Sequence, residues 1–242
     1  MLTEPLYQGL QDLGLHGMAR ALAAQQDTPH QALDFADRLA LLIDAEQGER
    51  RNQRYTQRLR WARLGQHASL EDLDAHTPRG LDRRRIEQLA SLTFVHDKLN
   101  LLITGPTGVG KSYLACALGQ QACRENLAVR YVRLPRLAED LGRAEALQKK
   151  SQLFKLLAKF KLLILDDFGL APLSDATRRD LLEILDDRFD QTSTILTSQL
   201  PVAQWHAYLA DPTLADAILD RVVHNAYKID LQGESMRKQK AP

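Results

Sequence analysis

The chain has 242 residues, 44% of them apolar, and its 32 basic and 31 acidic side chains leave a net charge of +1. That length allows one α/β domain with a smaller appendage, and so small a net charge gives no global case for a polyanionic partner. No apolar run approaches the roughly 20 residues that span a bilayer, and Met1-Leu2-Thr3-Glu4-Pro5 lacks the features of a signal peptide, so the expectation is a cytoplasmic protein without a membrane segment.

From Glu4 to about Gly65 the pattern is helical, with apolar residues at Leu6, Leu10 and Leu13 and again at Leu33, Leu39, Leu42 and Ile43. Asp27-Thr28-Pro29 separates two helices, with Asp27 or Thr28 as cap and Pro29 in the first turn. The pattern weakens after Trp61 through Pro78-Arg79-Gly80, which places the domain boundary between 70 and 80, at about 75/76. Arg83 to Phe94 is expected as one helix that leads into a strand at Leu99 to Thr104.

Elements then alternate. Strands are expected at Val129–Leu134, Lys161–Leu165, Thr194–Thr197 and Tyr227–Leu231. Helices are expected at Ser112–Glu125, from Pro135 to Leu141, and at Ser151–Ala158, Asp175–Phe189, Pro201–Leu209 and Asp211–Asn225. Such alternation predicts an α/β fold with a five-stranded parallel sheet flanked by helices, preceded by a small all-helical N-terminal domain. Cys116 and Cys123 lie seven apart on one helix, too distant for a disulfide, and are expected as buried core thiols.

The chemistry concentrates at Gly105-Pro106-Thr107-Gly108-Val109-Gly110-Lys111-Ser112, a phosphate-binding loop set between the first strand and an amphipathic stretch, and these residues together with Tyr113 are the candidate nucleotide-binding residues. Its glycines let successive N–H groups turn inward, and the following helix adds a field that favours phosphate. Lys111 is placed at the terminal phosphates of a nucleoside triphosphate and Ser112 on Mg²⁺. The apolar run Leu162-Leu163-Ile164-Leu165 ends in Asp166-Asp167, which makes Asp166 the metal partner of Ser112 and Asp167 the candidate for polarising the attacking water. Ser198-Gln199 closes the fourth strand at the same sheet edge, where short polar groups hold water against the γ-phosphate. Arg221, on a late helix, is either a surface residue or a finger that reaches a neighbouring subunit's nucleotide.

Between Glu49 and Leu64 the arginines 50, 51, 54, 58, 60 and 63 face a single acid, Glu49. On a helix Arg50, Arg54 and Arg58 share one face with Arg51 alongside, a spacing suited to duplex phosphates and without a base-reading pattern. Tyr55 and Trp61 are expected to pack within the helical bundle. Arg83-Arg84-Arg85 and the tail Arg237-Lys238-Gln239-Lys240 are secondary candidates for DNA contact.

With these pieces in order the chain resembles the AAA+ ATPases, in the clade of DnaA and the DnaC helicase loaders, and most closely the IstB-type transposition helpers of insertion sequences. The resemblance rests on Arg79-Gly80-Leu81-Asp82, the phosphate loop, Leu165-Asp166-Asp167-Phe168-Gly169, Thr197-Ser198-Gln199-Leu200-Pro201 and Gly233-Glu234-Ser235-Met236-Arg237-Lys238, and covers almost the whole length. It implies an ATP- and Mg²⁺-dependent protein that forms homo-oligomers on duplex DNA and stimulates a partner transposase. It further implies that Lys111 and Ser112 are Walker A, Asp166 and Asp167 Walker B, Gln199 with Ser198 the sensor, Arg221 the arginine finger, and 5-1-4-3-2 the strand order. Only 11 residues follow the last expected strand, which leaves no C-terminal lid domain, with Arg237 as the one substitute for a lid sensor. The alternative is a DnaC-like adaptor that loads a replicative helicase.

Overall fold

The computed structural model describes residues 3–27, 33–73 and 80–236. The chain packs as two compact units, Met1–Gln57 and Arg58–Pro242. The first holds α1 (Thr3–Asp12), α2 (His16–Asp27) and most of α3 (Phe35–Ala62), with the division inside α3. The first expected helix is thus two, because Gly14 turns the chain at φ 71° between them. Gly17 lets α2 meet α3 closely, since a Cβ there would stand 2.6 Å from the Ala45 carbonyl. The buried Glu46 carboxylate accepts the N–H groups of Gly17 (2.8 Å) and Met18 (3.3 Å) at the start of α2. Arg50 first, and then these backbone groups, hold Glu46 below the usual carboxylate range. Leu6, Leu13, Phe35, Leu41 and Ile43 remain exposed.

The second unit contains α4 (Arg83–Ala90), α5 (Thr93–His96), β1 (Asn100–Thr104), α6 (Lys111–Arg124), β2 (Val129–Arg133), α7 (Leu134–Ala146), α8 (Lys150–Ala158), β3 (Leu162–Phe168), α9 (Asp175–Arg188), β4 (Ser193–Ser198), α10 (Trp205–Leu209), α11 (Pro212–Val223) and β5 (Ala226–Asp230). The five strands are parallel in the order β2-β3-β4-β1-β5, the expected order read from its other edge. α6 lies against β1 to β4, while Leu102, Leu163, Leu165, Leu196 and Phe168 form one core with residues of α7, α9, α10 and α11. The fully buried Trp205 ring sits 4.5 Å from that of Phe168, and its indole N–H donates to the Leu200 carbonyl.

Three further expectations are corrected. Arg83 to Phe94 is two helices, because Leu92 turns left-handed at φ 52° to bury its side chain completely. Pro201 to Leu209 is a 3-10 turn over Val202–Gln204 followed by the short α10. In the second unit Leu64, Ala68 and Leu70 cluster with Cys116, Ala117, Tyr113 and Tyr131. Trp61 is 60% exposed instead of packed, whereas Tyr55 is half-buried. Cys116 and Cys123 are free and buried, and burial pushes the Cys123 thiol up to about 11. Thr28, Pro29, Pro78, Arg79 and the tail from Arg237 lie outside the described residues.

Candidate active site

In a parallel sheet the loops that follow the strands share one edge, and here β1, β3 and β4 deliver the phosphate loop, the two acids and Gln199 to it. Gly105, Gly108 and Gly110 adopt φ of 140°, 87° and 100°, a region that side chains disfavour. A Cβ on Gly105 would stand 2.1 Å from the Leu231 carbonyl. One on Gly108 would meet the Ser235 hydroxyl at 2.2 Å, so the segment after β5 runs against the loop, where the Met236 N–H donates to the Gly108 carbonyl (3.0 Å). At Gly105 and Gly108 the loop's backbone therefore leaves no room for a Cβ.

Lys111 is 8% exposed and its ammonium donates to the carbonyls of Gly105 (2.7 Å) and Pro106 (2.8 Å). Desolvation lowers its pKa, while the charges of Asp166 and Asp167 oppose that shift. The Ser112 hydroxyl donates to Asp166 Oδ1 at 2.8 Å. Asp166 is 3% exposed and is surrounded by hydroxyls: Thr197 also donates to Oδ1, and the Tyr131 hydroxyl donates to Oδ2 at 2.6 Å. Burial, then the hydrogen bond to Asp166, pushes the Tyr131 phenol far above its usual range, so it stays a donor. Gly65 makes room for that ring, since a Cβ there would touch it at 2.6 Å.

Asp167 breaks the register between β3 and β4, with φ 62°. Its N–H donates to Thr197 Oγ1 (3.2 Å), and Arg133 Nε donates to its carboxylate (2.6 Å). Gln199 reaches the phosphate loop, where its side-chain carbonyl accepts the Thr107 hydroxyl at 2.8 Å. Ser198 does not join it: its hydroxyl donates to the Phe168 carbonyl (2.6 Å) and accepts the Leu200 N–H, which is a structural use. The Tyr113 hydroxyl turns to the backbone of Ser69, so only the backbone of Tyr113 stands at the start of α6.

Arg221 lies apart. Asn100, at the start of β1, donates to the Arg221 carbonyl (3.0 Å), whereas the phosphate loop follows the other end of that strand, about 15 Å away for five residues. Its guanidinium is held by Asp186 (2.9 Å) and Asp220 (2.6 Å) and lies over the Phe189 ring at 5.3 Å. The basic stripe also divides. Arg50 pairs with Glu46 at 2.7 Å, and Arg58 donates to the Cys123 carbonyl (3.3 Å) and to Asn126 (2.6 Å). Arg51 and Arg54 are exposed and without an ion pair among the described residues.

Tyr131, Arg133, Thr197 and Ser235 are the site residues that sequence reasoning passed over. The signal for the first two is polar residues two apart on a strand that ends beside the acids, with Arg133 in register with Asp166.

The model of the family described as IstB-like ATP binding protein matches residues 8–242. An insertion sequence ATP-binding protein of Sinorhizobium fredii, y4pL, is 46% identical over 239 residues, 98% of each chain. Among solved structures, DnaI superposes with a TM-score of 0.59 at 27% identity, over 69% of this chain and 92% of its own. A DnaC helicase loader superposes with a TM-score of 0.56 at 20% identity, over 68% of this chain and 97% of its own, a likeness of fold. The glycine cradle, the Ser112–Asp166 pair and the 5-1-4-3-2 sheet are thus those of an AAA+ core, and the chain belongs to the IstB-like ATP-binding protein family.

Proposed function

We propose that this protein is an ATPase that assembles on target DNA in the cytoplasm and serves a partner transposase as its helper. The observation that carries the reading is the separation of Arg221 from its own phosphate loop by the length of β1. A finger at one sheet edge and a phosphate cradle at the other make a complete site only between two copies of the chain. The insertion-sequence relative, matched over 98% of its length, supports transposition as the setting in preference to helicase loading.

In this reading the N–H groups of Gly108, Gly110 and Lys111 bind the β- and γ-phosphates of ATP, and Lys111 exchanges its carbonyl acceptors for phosphate oxygen. Ser112 and Asp166 hold Mg²⁺: a hydroxyl beside a buried carboxylate with only hydroxyl donors around it is a donor set that suits a hard cation. The ion supplies charge neutralisation on the phosphates. Tyr131 and Thr197 fix the rotamer of Asp166. Asp167 takes the proton of the attacking water once Arg133 releases it, and Gln199 orients that water from the loop. Arg221 leaves Asp186 and Asp220 for the neighbour's γ-phosphate, so the nucleotide fastens subunits together. Arg51 and Arg54, with Arg50 and Arg58 in part, contact duplex phosphates without reading sequence.

Light scattering on duplex DNA with no other protein present tests the reading. ATP raises the assembled mass, Lys111→Ala abolishes ATP binding and assembly, and Asp167→Asn keeps binding but slows hydrolysis at least ~10-fold, trapping the assembly. Unchanged hydrolysis by Asp167→Asn removes Asp167 from the chemistry. Assembly that waits for a helicase supports the loader instead.

A further inference from the structure

Of the two tryptophans in the chain, Trp205 is fully buried and Trp61 is 60% exposed. The surroundings of Trp61 within the second unit are basic. Arg130, half-buried on the edge strand β2, donates through Nη1 to the Trp61 carbonyl at 3.1 Å and so places its guanidinium at the C-terminal end of α3. Arg63, exposed and with φ 50°, lies near enough for its charge to depress the pKa of Arg130 beyond the effect of burial. Arg60 and Arg63 are exposed, and neither they nor Arg130 has an ion pair among the described residues. The acid that acts on Arg130 is Asp140, and its carboxylate is shared by Arg136 (3.5 Å) and Arg143 (3.6 Å). Like charges are therefore gathered at the C-terminal end of α3 beside an exposed tryptophan, and none of them has an ion pair among the described residues. Such a surface is complementary to a polyanion that also offers flat apolar faces, which is the sugar-phosphate backbone of DNA.

We propose that Trp61, Arg63 and Arg130 form a second DNA contact, on the ATPase unit itself, in which the two guanidinium groups take backbone phosphates and the indole packs on the deoxyribose. It rests on the reading that the protein binds duplex DNA, and it uses residues of the second unit alone. Arg130 serves two purposes there, since the hydrogen bond that closes α3 also fixes its guanidinium beside Trp61.

Because Trp205 is out of reach of solvent, iodide quenching of the full-length protein reports Trp61 alone. A fluorescein-labelled duplex gives total binding by anisotropy in the same cuvette, in the presence of ATP. The expected result is that duplex protects Trp61 from iodide, that Trp61→Phe abolishes the DNA-dependent change, and that Arg63→Ala weakens binding roughly 3- to 10-fold and lowers the salt slope by about one. Duplex binding by anisotropy with Trp61 still open to iodide overturns the contact while leaving DNA binding intact. Protection with an unchanged salt slope in Arg63→Ala also overturns it, because the indole is then covered by protein. Loss of all duplex binding in the parent overturns both this contact and the reading on which it rests.

Discussion

Arg188 shows how much one side chain settles in this fold. It is 2% exposed and has no ion pair among the described residues, yet every nitrogen has an acceptor: the carbonyls of Leu157 (2.7 Å), Phe160 (2.9 Å) and Ser193 (2.6 Å) and the Thr194 hydroxyl (3.1 Å). Burial pushes its pKa down to about 9. The fork ties the end of α8 and the turn before β3 to the start of β4, a use that the motif-free stretch Asp187-Arg188-Phe189 does not advertise. Arg188→Ala strands four acceptors, so a loss of about 3 kcal/mol or more is expected in urea unfolding. Arg188→Lys should recover less than half, since one ammonium cannot reach divergent acceptors. A loss under about 1 kcal/mol for Arg188→Ala would contradict this role. The same limit on legibility holds at the nucleotide site. Asp166 is readable because an apolar strand ends in it, but Tyr131 and Thr197 become its partners only through the register of three strands, which no local pattern encodes.

At the scale of elements, the strands and most helices follow from alternation and caps. Asp82, Ser174 and Asp211 each accept an N–H in the first turn of α4, α9 and α11, as their residue types lead one to expect. What spacing misses are breaks made by tertiary burial, as at Leu92, where periodicity runs on unbroken but the backbone turns to seat a side chain. The meeting of β1 and β5 is equally invisible to sequence. Leu231 N–H donates to the Thr104 carbonyl at 2.8 Å, which brings the Leu231 carbonyl over Gly105. Gly105→Ala must move either the loop or the end of β5, at an expected cost of about 1–3 kcal/mol together with at least ~10-fold weaker ATP binding. Titration with a fluorescent ATP analogue and a thermal melt check both parts, and wild-type affinity in the variant would show that the cradle tolerates a methyl group.

For the molecule as a whole, the order of the sheet follows from family resemblance and not from spacing, and Leu64, Ala68 and Leu70 pack on α6 within the second unit. Arg221 was legible only as an arginine with two possible uses. It lies beside Asn100, at the end of β1 away from the phosphate loop, and pairs with Asp186 and Asp220; the site shared between subunits is the use proposed for it. The most direct test mixes two inactive chains. Lys111→Ala lacks the cradle and Arg221→Ala lacks the finger, so each alone should hydrolyse ATP on duplex DNA at least ~100-fold more slowly than the parent. If the site lies between subunits, an equimolar mixture regains part of the parent rate, at most about a quarter, because the intact cradle of Arg221→Ala binds ATP and pairs with the intact finger of Lys111→Ala. A mixture no faster than the two variants measured separately would contradict a shared site.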